Sequence, residues 1–397
     1  MRILFLHEVS YETKPIFEMH EFPEHLAAKG NEIGFLQFPE GESKESLKKK
    51  PFKELISGRV VHGVNLTLFT PKTRSSGLPG RLLAVFRTGK FFKKVVRDFQ
   101  PDVVVSFAVP TSGWQSLRVS KKVGVPYLFR ALDVSHKIRK SIFSPLILLA
   151  EKYIYRNADW VSCNNLAMKS YCIDMGASQE TTSVENPPLD LVRFSSARSD
   201  TATAIRAKLG IPTDAHVTLY MGSFFYFSGL PELIQSFSSS RRDGEYLLLI
   251  GGGEQDSELR QLVADLGLHE YVKFTGFIGF DLLADYLKLA AIAVNPMHPS
   301  AVSNTALPNK VIQYMATGLP VVSTELEGLK STFGDIDGLA FVEDPTQVYA
   351  RAQEMLEDGN LSELGKSNQN RVRADFSIPK TVEAMSIRLA KLTEEAA

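Results

Sequence analysis

Cysteine is scarce in this chain of 397 residues: Cys163 and Cys172 are the whole supply. Their separation fits neither a metal-ligand set nor a disulfide framework, so a cysteine-built metal centre and a stapled scaffold are excluded, and reduced core thiols are expected. Excess charge is missing too. Lys and Arg total 45, as do Asp and Glu, for a formal net charge of zero and a pI of about 7.1. Nothing pulls the chain globally toward nucleic acid, and no nucleic-acid partner is expected. No run approaches the roughly 18 apolar residues of a membrane-spanning helix. The opening Met1-Arg-Ile-Leu-Phe-Leu6 is apolar but runs straight into His7-Glu8, too brief for the apolar region of a signal peptide. The chain is therefore expected in the cytoplasm unless something holds it to a surface. The loop after that first strand has no Gly-x-Gly-x-x-Gly fingerprint, which argues against a dinucleotide bound in the dehydrogenase manner.

What is present is ordinary globular material, 44% hydrophobic and 23% charged, long enough for two domains. The first half alternates near-continuous apolar strands (Arg2–Leu6, Ile33–Gln37, Val64–Phe69, Val103–Phe107, Tyr127–Ala131, Trp160–Cys163) with helical stretches such as Ile16–Lys29 and Thr111–Val123. That pattern indicates an α/β domain with a parallel sheet covered on both faces, whose ligands bind at the carboxyl ends of the strands. Two prolines in Val184–Phe194, followed by the serine-rich 195–203, read as a linker. A second alternation follows: Val217–Met221, Tyr246–Ile250, Val272–Phe274, Ile292–Asn295, Val321–Ser323 and Ala340–Val342. The expected organisation is residues 1–190 as one Rossmann-like domain, 191–375 as a second facing it across a central cleft, and 376–397 as a helix crossing back to the first.

One stretch organises the second half: Pro308-Asn-Lys-Val-Ile-Gln-Tyr-Met-Ala-Thr-Gly-Leu-Pro-Val-Val322. Pro308 suits a first helical turn, Val311, Ile312 and Met315 recur at helical spacing, and Gly318 and Pro320 stop the helix before a buried strand. The small, polar loop 300–307 precedes it, so unpaired amides are expected at a helix start where an anion is welcome. Lys310 in the first turn opposes the helix dipole, at a cost of a few tenths up to about 1 kcal/mol. Its place makes sense if an anion sits in front of the helix; the alternative is a lysine reaching into solvent.

Other strand ends carry polar or glycine-rich loops. Gly222-Ser-Phe-Phe-Tyr-Phe-Ser-Gly229 and Gly251-Gly-Gly-Glu254 permit close approach of a ligand to backbone amides, or are simply crowded turns. In the first half, Glu8 and Lys14 follow the first strand, and Asp133 and His136 follow Tyr127–Ala131. Asp133 either caps the next helix or accepts a hydrogen bond from a substrate hydroxyl. Residues 77–99 alternate Arg81, Arg87, Lys90, Lys93, Lys94 and Arg97 with Leu82, Leu83, Phe86, Phe91, Phe92 and Val96, with no acid before Asp98. Such a basic amphipathic helix suits an anionic membrane surface, or packs on the sheet by its apolar face.

The order of these blocks resembles the retaining GT-B glycosyltransferases of family 4, the group 1 glycosyltransferases. Tyr220-Met-Gly-Ser, Leu249-Ile-Gly-Gly-Gly-Glu254, Val272-Lys-Phe-Thr-Gly-Phe-Ile278 and the Pro308–Val322 block carry the likeness, with Pro101-Asp-Val-Val, Arg156-Asn-Ala-Asp159 and Asn186…Asp190…Phe194 matching more loosely. The Pro-Asn-Lys block and Asp133 are most similar to members building surface polysaccharides and glycolipids. The resemblance implies a GT-B fold and transfer of a sugar, with retention, from a UDP- or GDP-sugar to a hydroxyl on a lipid-linked or cell-envelope glycan. No bound metal or cofactor is implied, and a peripheral place on the cytoplasmic membrane face fits.

The resemblance also implies roles. The base lies near Phe277 and Ile278, the ribose near Gln313, and the donor sugar's hydroxyls near Thr305. The pyrophosphate faces the loop of Gly222, Ser223, Ser228 and Gly229, with Lys310 and the amides of Asn304 to Ala306, and Gly253, Glu254, Ser303 and Asn309 complete the donor-binding set. Asp133 and Lys310 take the catalytic roles, and Glu8, Lys14 and His136 the acceptor side. This chain departs from the family in four places. Thr305 and Gln313 stand where the family has two carboxylates, and Ser223 and Ser228 where its phosphate loop has Arg and Lys. Each lost charge-assisted bond is worth roughly 1.5–3 kcal/mol. Lys14, Arg130 or Arg139 are the candidate substitutes, and the alternative is a nucleotide-sugar-binding relative that regulates or partners an active enzyme.

Overall fold

Strands buried on both faces generate two sheets, each with an apolar core on either side. The computed structural model describes residues 1–38, 50–71, 77–138, 142–195 and 199–396; Arg139 and the side chains of Arg81, Leu82 and Leu83 lie outside the described residues. The chain divides into two compact units, Met1–Pro188 with Ile378–Ala397, and Leu189–Ser377.

The first unit holds β1 (Arg2–Leu6), β2 (Glu32–Leu36), β3 (Lys53–Ser57), β4 (Asn65–Phe69), β5 (Val103–Ser106), β6 (Tyr127–Ala131), β7 (Trp160–Cys163) and β8 (Thr182–Val184) in the order β3-β4-β2-β1-β5-β6-β7-β8. Period-two alternation splits each central strand between two cores: Leu4, Leu6 and Val104 face one, Ile3, Phe5, Val103 and Val105 the other. The helix Gly77–Phe99 packs Phe92, Val95, Val96 and Phe99 into the first core and turns Phe86, Arg87, Lys90, Lys93, Lys94 and Arg97 outward. Into the second core go Met19, Phe22 and Leu26 of the helix Glu18–Ala28 and Val382, Met385, Leu389 and Leu392 of the helix Ile378–Ala396. The sheet is mixed rather than wholly parallel, because β3 runs antiparallel to β4 at the edge. Its mostly exposed Lys-Glu-Leu-Ile-Ser leaves no hydrophobic run to read. Cys163 and Cys172 are buried thiols with sulfurs 3.7 Å apart.

The second unit holds β9 (His216–Ser223), β10 (Glu245–Gly252), β11 (Val272–Gly276), β12 (Ile292–Asn295), β13 (Val321–Thr324) and β14 (Leu339–Val342), all parallel, in the order β11-β10-β9-β12-β13-β14. The chain leaves β9 to one side through β10 and β11, then returns to place β12 on the other. Such a reversal of direction opens a crevice beyond the strands' carboxyl ends. In the first unit the same reversal lies between β1 and β5.

Candidate functional site

β12 pairs with β9 only at Ile292–Thr218 and Ala293–Leu219, so the last residues of β9 have no strand beside them on that side. The helix Asn309–Ala316 fills the gap. Tyr314 accepts from the Met221 amide at 2.6 Å and returns its hydroxyl proton to the Met221 carbonyl at 3.3 Å, replacing the missing strand. One turn earlier, Lys310 Nζ donates to the Tyr220 hydroxyl at 3.0 Å and lies 4.2 Å from the centre of that ring. The Tyr220 hydroxyl in turn donates to the Ser223 carbonyl at 3.0 Å. Two tyrosines thus fasten the helix start to the end of β9. Sequence reading passed over both; the available signal was a phenol at core positions, which needs a partner when buried.

Gly222 follows with φ near 144°, and a Cβ there would lie 3.3 Å from Lys310 Nζ. A side chain would therefore fill the space that the ammonium borders. Lys310 joins no ion pair among the described residues, and burial alone holds its pKa down at about 7. Pro308 caps the helix in an extended conformation instead of forming its first turn, which puts Asn309 and Lys310 in the first two helical positions. Their amides have no intrahelical acceptor, and the first turn carries no acid.

The other expected donor-site residues divide. Ser223, Gly253, Glu254, Asn309 and Phe277 are exposed, the last at 76%, with its ring beside Gly252. Thr305 and Gln313 are half-buried, and Ile278 packs on the core beneath. Ser228 does not face a ligand: it is buried, and its hydroxyl closes a turn on the Phe225 carbonyl at 2.5 Å. Gly229 is buried at the start of the helix Leu230–Ser240, where a Cβ would fall 1.8 Å from the Pro296 carbonyl oxygen. The expectation of open amides at Asn304 and Ala306 is also corrected. The Asn304 amide donates to Ser300 at 2.8 Å and that of Ala306 to Ser303 at 3.0 Å, because the loop folds into tight turns. Ser303 is buried, with its hydroxyl on the His298 carbonyl. Asn304 receives the Glu327 and Gly328 amides, tying the loop to the helix Glu327–Phe333.

In the first unit Asp133 lies at the carboxyl end of β6 and is open to solvent. It does not cap the next helix, Ser135–Ile138; Val134 holds that place, its carbonyl accepting from Lys137 and Ile138. Close surrounding protein, with the Glu18 charge second, pushes the Asp133 carboxyl up to about 6. Glu8 is corrected to a structural role. It is buried, and one carboxylate oxygen accepts from the Thr111 and Ser112 amides at 2.7 Å each, just ahead of the helix Gly113–Val123. His136 is engaged by buried Glu151 at 2.7 Å. Lys14 is half-buried, and its carbonyl accepts from Arg59 at 2.9 Å. Arg130 is no substitute cation either: it is 1% exposed and doubly bonded to Glu18. Among the described residues no group of three or more His, Cys, Asp and Glu side chains is placed to hold a metal ion, and no helix is long and apolar enough to cross a membrane.

Comparison with known proteins places this geometry. Residues 24–187 match a family described as glycosyl transferase 4-like domain, and residues 215–358 one described as glycosyl transferases group 1. A lipopolysaccharide core biosynthesis glycosyltransferase of Rhizobium meliloti is 32% identical over 197 residues, which take in 47% of this chain and 53% of that protein. The chain spans about half the length of such curated relatives. Among solved structures, sucrose-phosphate synthase of Thermosynechococcus elongatus superposes with a TM-score of 0.80 at 20% identity, covering 99% of both chains. HepE of Anabaena, solved in complex with UDP-glucose, gives 0.73 at 19% identity over 98% of this chain and all of its own. At such identities these likenesses speak for the fold, the two Rossmann-like domains of GT-B enzymes. Each half thus carries a glycosyltransferase domain, a glycosyl transferase 4-like domain in the first and a group 1 glycosyltransferase domain in the second.

Proposed function

We propose that this protein moves a sugar from a UDP- or GDP-sugar to a hydroxyl of a lipid-linked or cell-envelope glycan, with retained anomeric configuration. The observation that carries the reading is the Lys310 ammonium beside Gly222, without a carboxylate partner among the described residues, at the switch point of the second sheet. The two glycosyltransferase domains and a UDP-glucose complex among structures of the same fold support it. Departure of a nucleoside diphosphate builds negative charge on phosphate oxygens and positive charge at the sugar carbon. Lys310 and the first amides of the Asn309 helix stabilise the former without reorganising. Phe277 and Ile278 are assigned to the base, Gln313 to the ribose and Thr305 to the donor sugar. Asp133 is assigned to a substrate hydroxyl. With Thr305 where a carboxylate nucleophile is wanted, attack on the face the leaving group vacates is favoured over a covalent intermediate.

A donor panel tests this. UDP- and GDP-sugars are expected to raise the melting temperature, and one of them to yield a mass-shifted glycan with envelope-lipid acceptors. A second reading, a donor-binding protein without transfer activity, is favoured by two of the expected positions: Ser228 is locked in its turn and Arg130 is spoken for. Stabilisation by donors with neither transfer nor donor hydrolysis would select it.

Charge at Lys310 predicts two opposed pH trends. Its pKa is lowered from 10.5 to about 7 on folding, so between those values the unfolded chain binds the extra proton. This group's contribution to stability therefore rises with pH from about 7 to 10.5 and is flat outside that window. Donor affinity runs the other way, constant below about pH 7 and weakening above it, because the phosphates need the ammonium. Urea titrations and calorimetry with UDP-glucose across about pH 6 to 11.5, that window widened by roughly a unit at each end, read both trends, and Lys310→Met flattens them.

The outward face of the helix Gly77–Phe99 supports peripheral membrane attachment. Phe86 is 85% exposed, among Arg87, Lys90, Lys93, Lys94 and Arg97. Sedimentation with phosphatidylglycerol vesicles is expected at low salt and lost toward about 0.5 M salt, where screening shortens to a few ångströms. No binding at any salt would remove the membrane from the account.

A further inference from the structure

The loop after Gly222 displays aromatic surface that the donor reading does not use. Phe225, Tyr226 and Phe227 expose 41, 59 and 40% of their surfaces. The rings of Phe225 and Phe227 stack with centroids 5.2 Å apart and 23° between planes, forming one flat slab. Consecutive exposed aromatics are costly to leave in water and mark a contact surface. This one is held rigidly. The Phe224 amide donates to Gly252 at 3.0 Å, the Tyr226 amide to Glu254 at 3.3 Å, the Ser228 amide to Phe225 at 2.9 Å and the His298 amide to the Phe227 carbonyl at 2.9 Å. A surface fixed in advance loses little entropy when it binds.

The chemistry beside the slab selects the ligand. The Tyr226 hydroxyl donates to Glu258 at 3.3 Å, and Glu254 lies under the Tyr226 amide, so two exposed carboxylates and a phenol rim the rings. Carboxylates repel an anionic lipid surface but accept readily from sugar hydroxyls. A pyranose combines what both parts require, a face of C–H groups to lie on the rings and a rim of hydroxyls. The slab begins three residues beyond Gly222, next to the Lys310 ammonium.

We propose that Phe225 and Phe227 form a platform on which a pyranose ring of the acceptor glycan stacks, with Tyr226, Glu254 and Glu258 taking its hydroxyls. The identity of the ligand as acceptor rests on the transferase reading; the existence of the platform does not. Saturation-transfer NMR on the full chain, without donor, tests it with methyl pyranosides of glucose, galactose, mannose and N-acetylglucosamine as probes. At least one is expected to bind with a dissociation constant on the order of a millimolar and to receive saturation most strongly on the protons of one C–H face. The Phe225→Ala/Phe227→Ala variant, with an unchanged melting temperature, is expected to weaken that binding about tenfold and leave UDP-glucose affinity within about twofold. Phe225→Tyr/Phe227→Tyr restores it. Saturation of no pyranoside, or equal saturation of the Ala variant, overturns the platform. So does a parallel loss of UDP-glucose affinity, which would put the rings in the donor site, or vesicle sedimentation lost with the two rings, which would make them a lipid contact. If the wild-type chain binds pyranosides but no nucleotide-sugar, the donor reading falls and the platform stands.

Discussion

Replacing Lys310 with alanine is expected to lower kcat/KM for sugar transfer by roughly a hundred- to a thousandfold, the range seen when one preorganised charge stabiliser is removed. The size follows from isolation. Arg130 is buried elsewhere, Ser223 and Ser228 carry no charge, and the three atoms nearest a Cβ at Gly222 are Lys310 Nζ and two of Tyr220, so the ammonium is the charge that borders that glycine. The loss falls on the leaving group, so kcat declines along with donor affinity. The fold survives, because Lys310 gives up a single hydrogen bond, to Tyr220, and relieves the burial of an unpaired ammonium. Steady-state kinetics beside a thermal melt check this: a variant with wild-type rates sinks the role of Lys310, whereas a dead variant with a collapsed melt says nothing of it.

Arg130→Ala is expected to destabilise the first unit by about 3–5 kcal/mol, the cost of breaking a buried pair from one side. Arg130 reaches Glu18 through Nε at 3.0 Å and Nη2 at 2.7 Å, the Ser162 hydroxyl at 2.9 Å, and the Cys163 and Glu185 carbonyls at 3.0 and 2.7 Å. It thereby joins β6, β7, the segment after β8 and the helix Glu18–Ala28. Truncation leaves Glu18, 3% exposed, without its cation and takes a donor from the Glu185 carbonyl, while the Cys163 carbonyl keeps the Glu185 amide. Urea unfolding should show the loss, and Glu18→Met/Arg130→Met should recover much of it because no lone charge remains. A loss below about 1 kcal/mol would mean that the pair is replaced by water.

Which parts were legible in the sequence follows from the range of the interactions. β6, β7 and β12 have the bounds that their apolar runs predict, since burial on both faces is written in consecutive residues. The place of Lys310 beside Gly222 drew notice for the opposite reason: a cation in a first turn conflicts with the local electrostatics. Edge strand β3, barely buried, carried no such signal. The roles of Glu8 and Arg130 were misread because their partners lie far away in the sequence. Arg130 meets Glu18 across 112 residues, and Glu8 meets Ser112 across 104. Glu8, read on the acceptor side, and Arg130, read as a substitute cation, are instead tied into the frame of the first unit. The two tyrosines were hidden differently, since a phenol in an apolar pattern reads as core until its hydroxyl is followed to Met221 or Lys310.

The central claim is that the Lys310 ammonium holds the donor's diphosphate. The direct measurement is an NMR pH titration of the lysine side-chain carbons with Lys310 assigned by mutation, run with and without UDP-glucose. Without donor the Lys310 signal is expected to titrate near 7. Saturating donor should move that midpoint up by roughly one to three units, as a close anion does to an ammonium. A midpoint that stays in place while UDP-glucose is demonstrably bound would contradict the account.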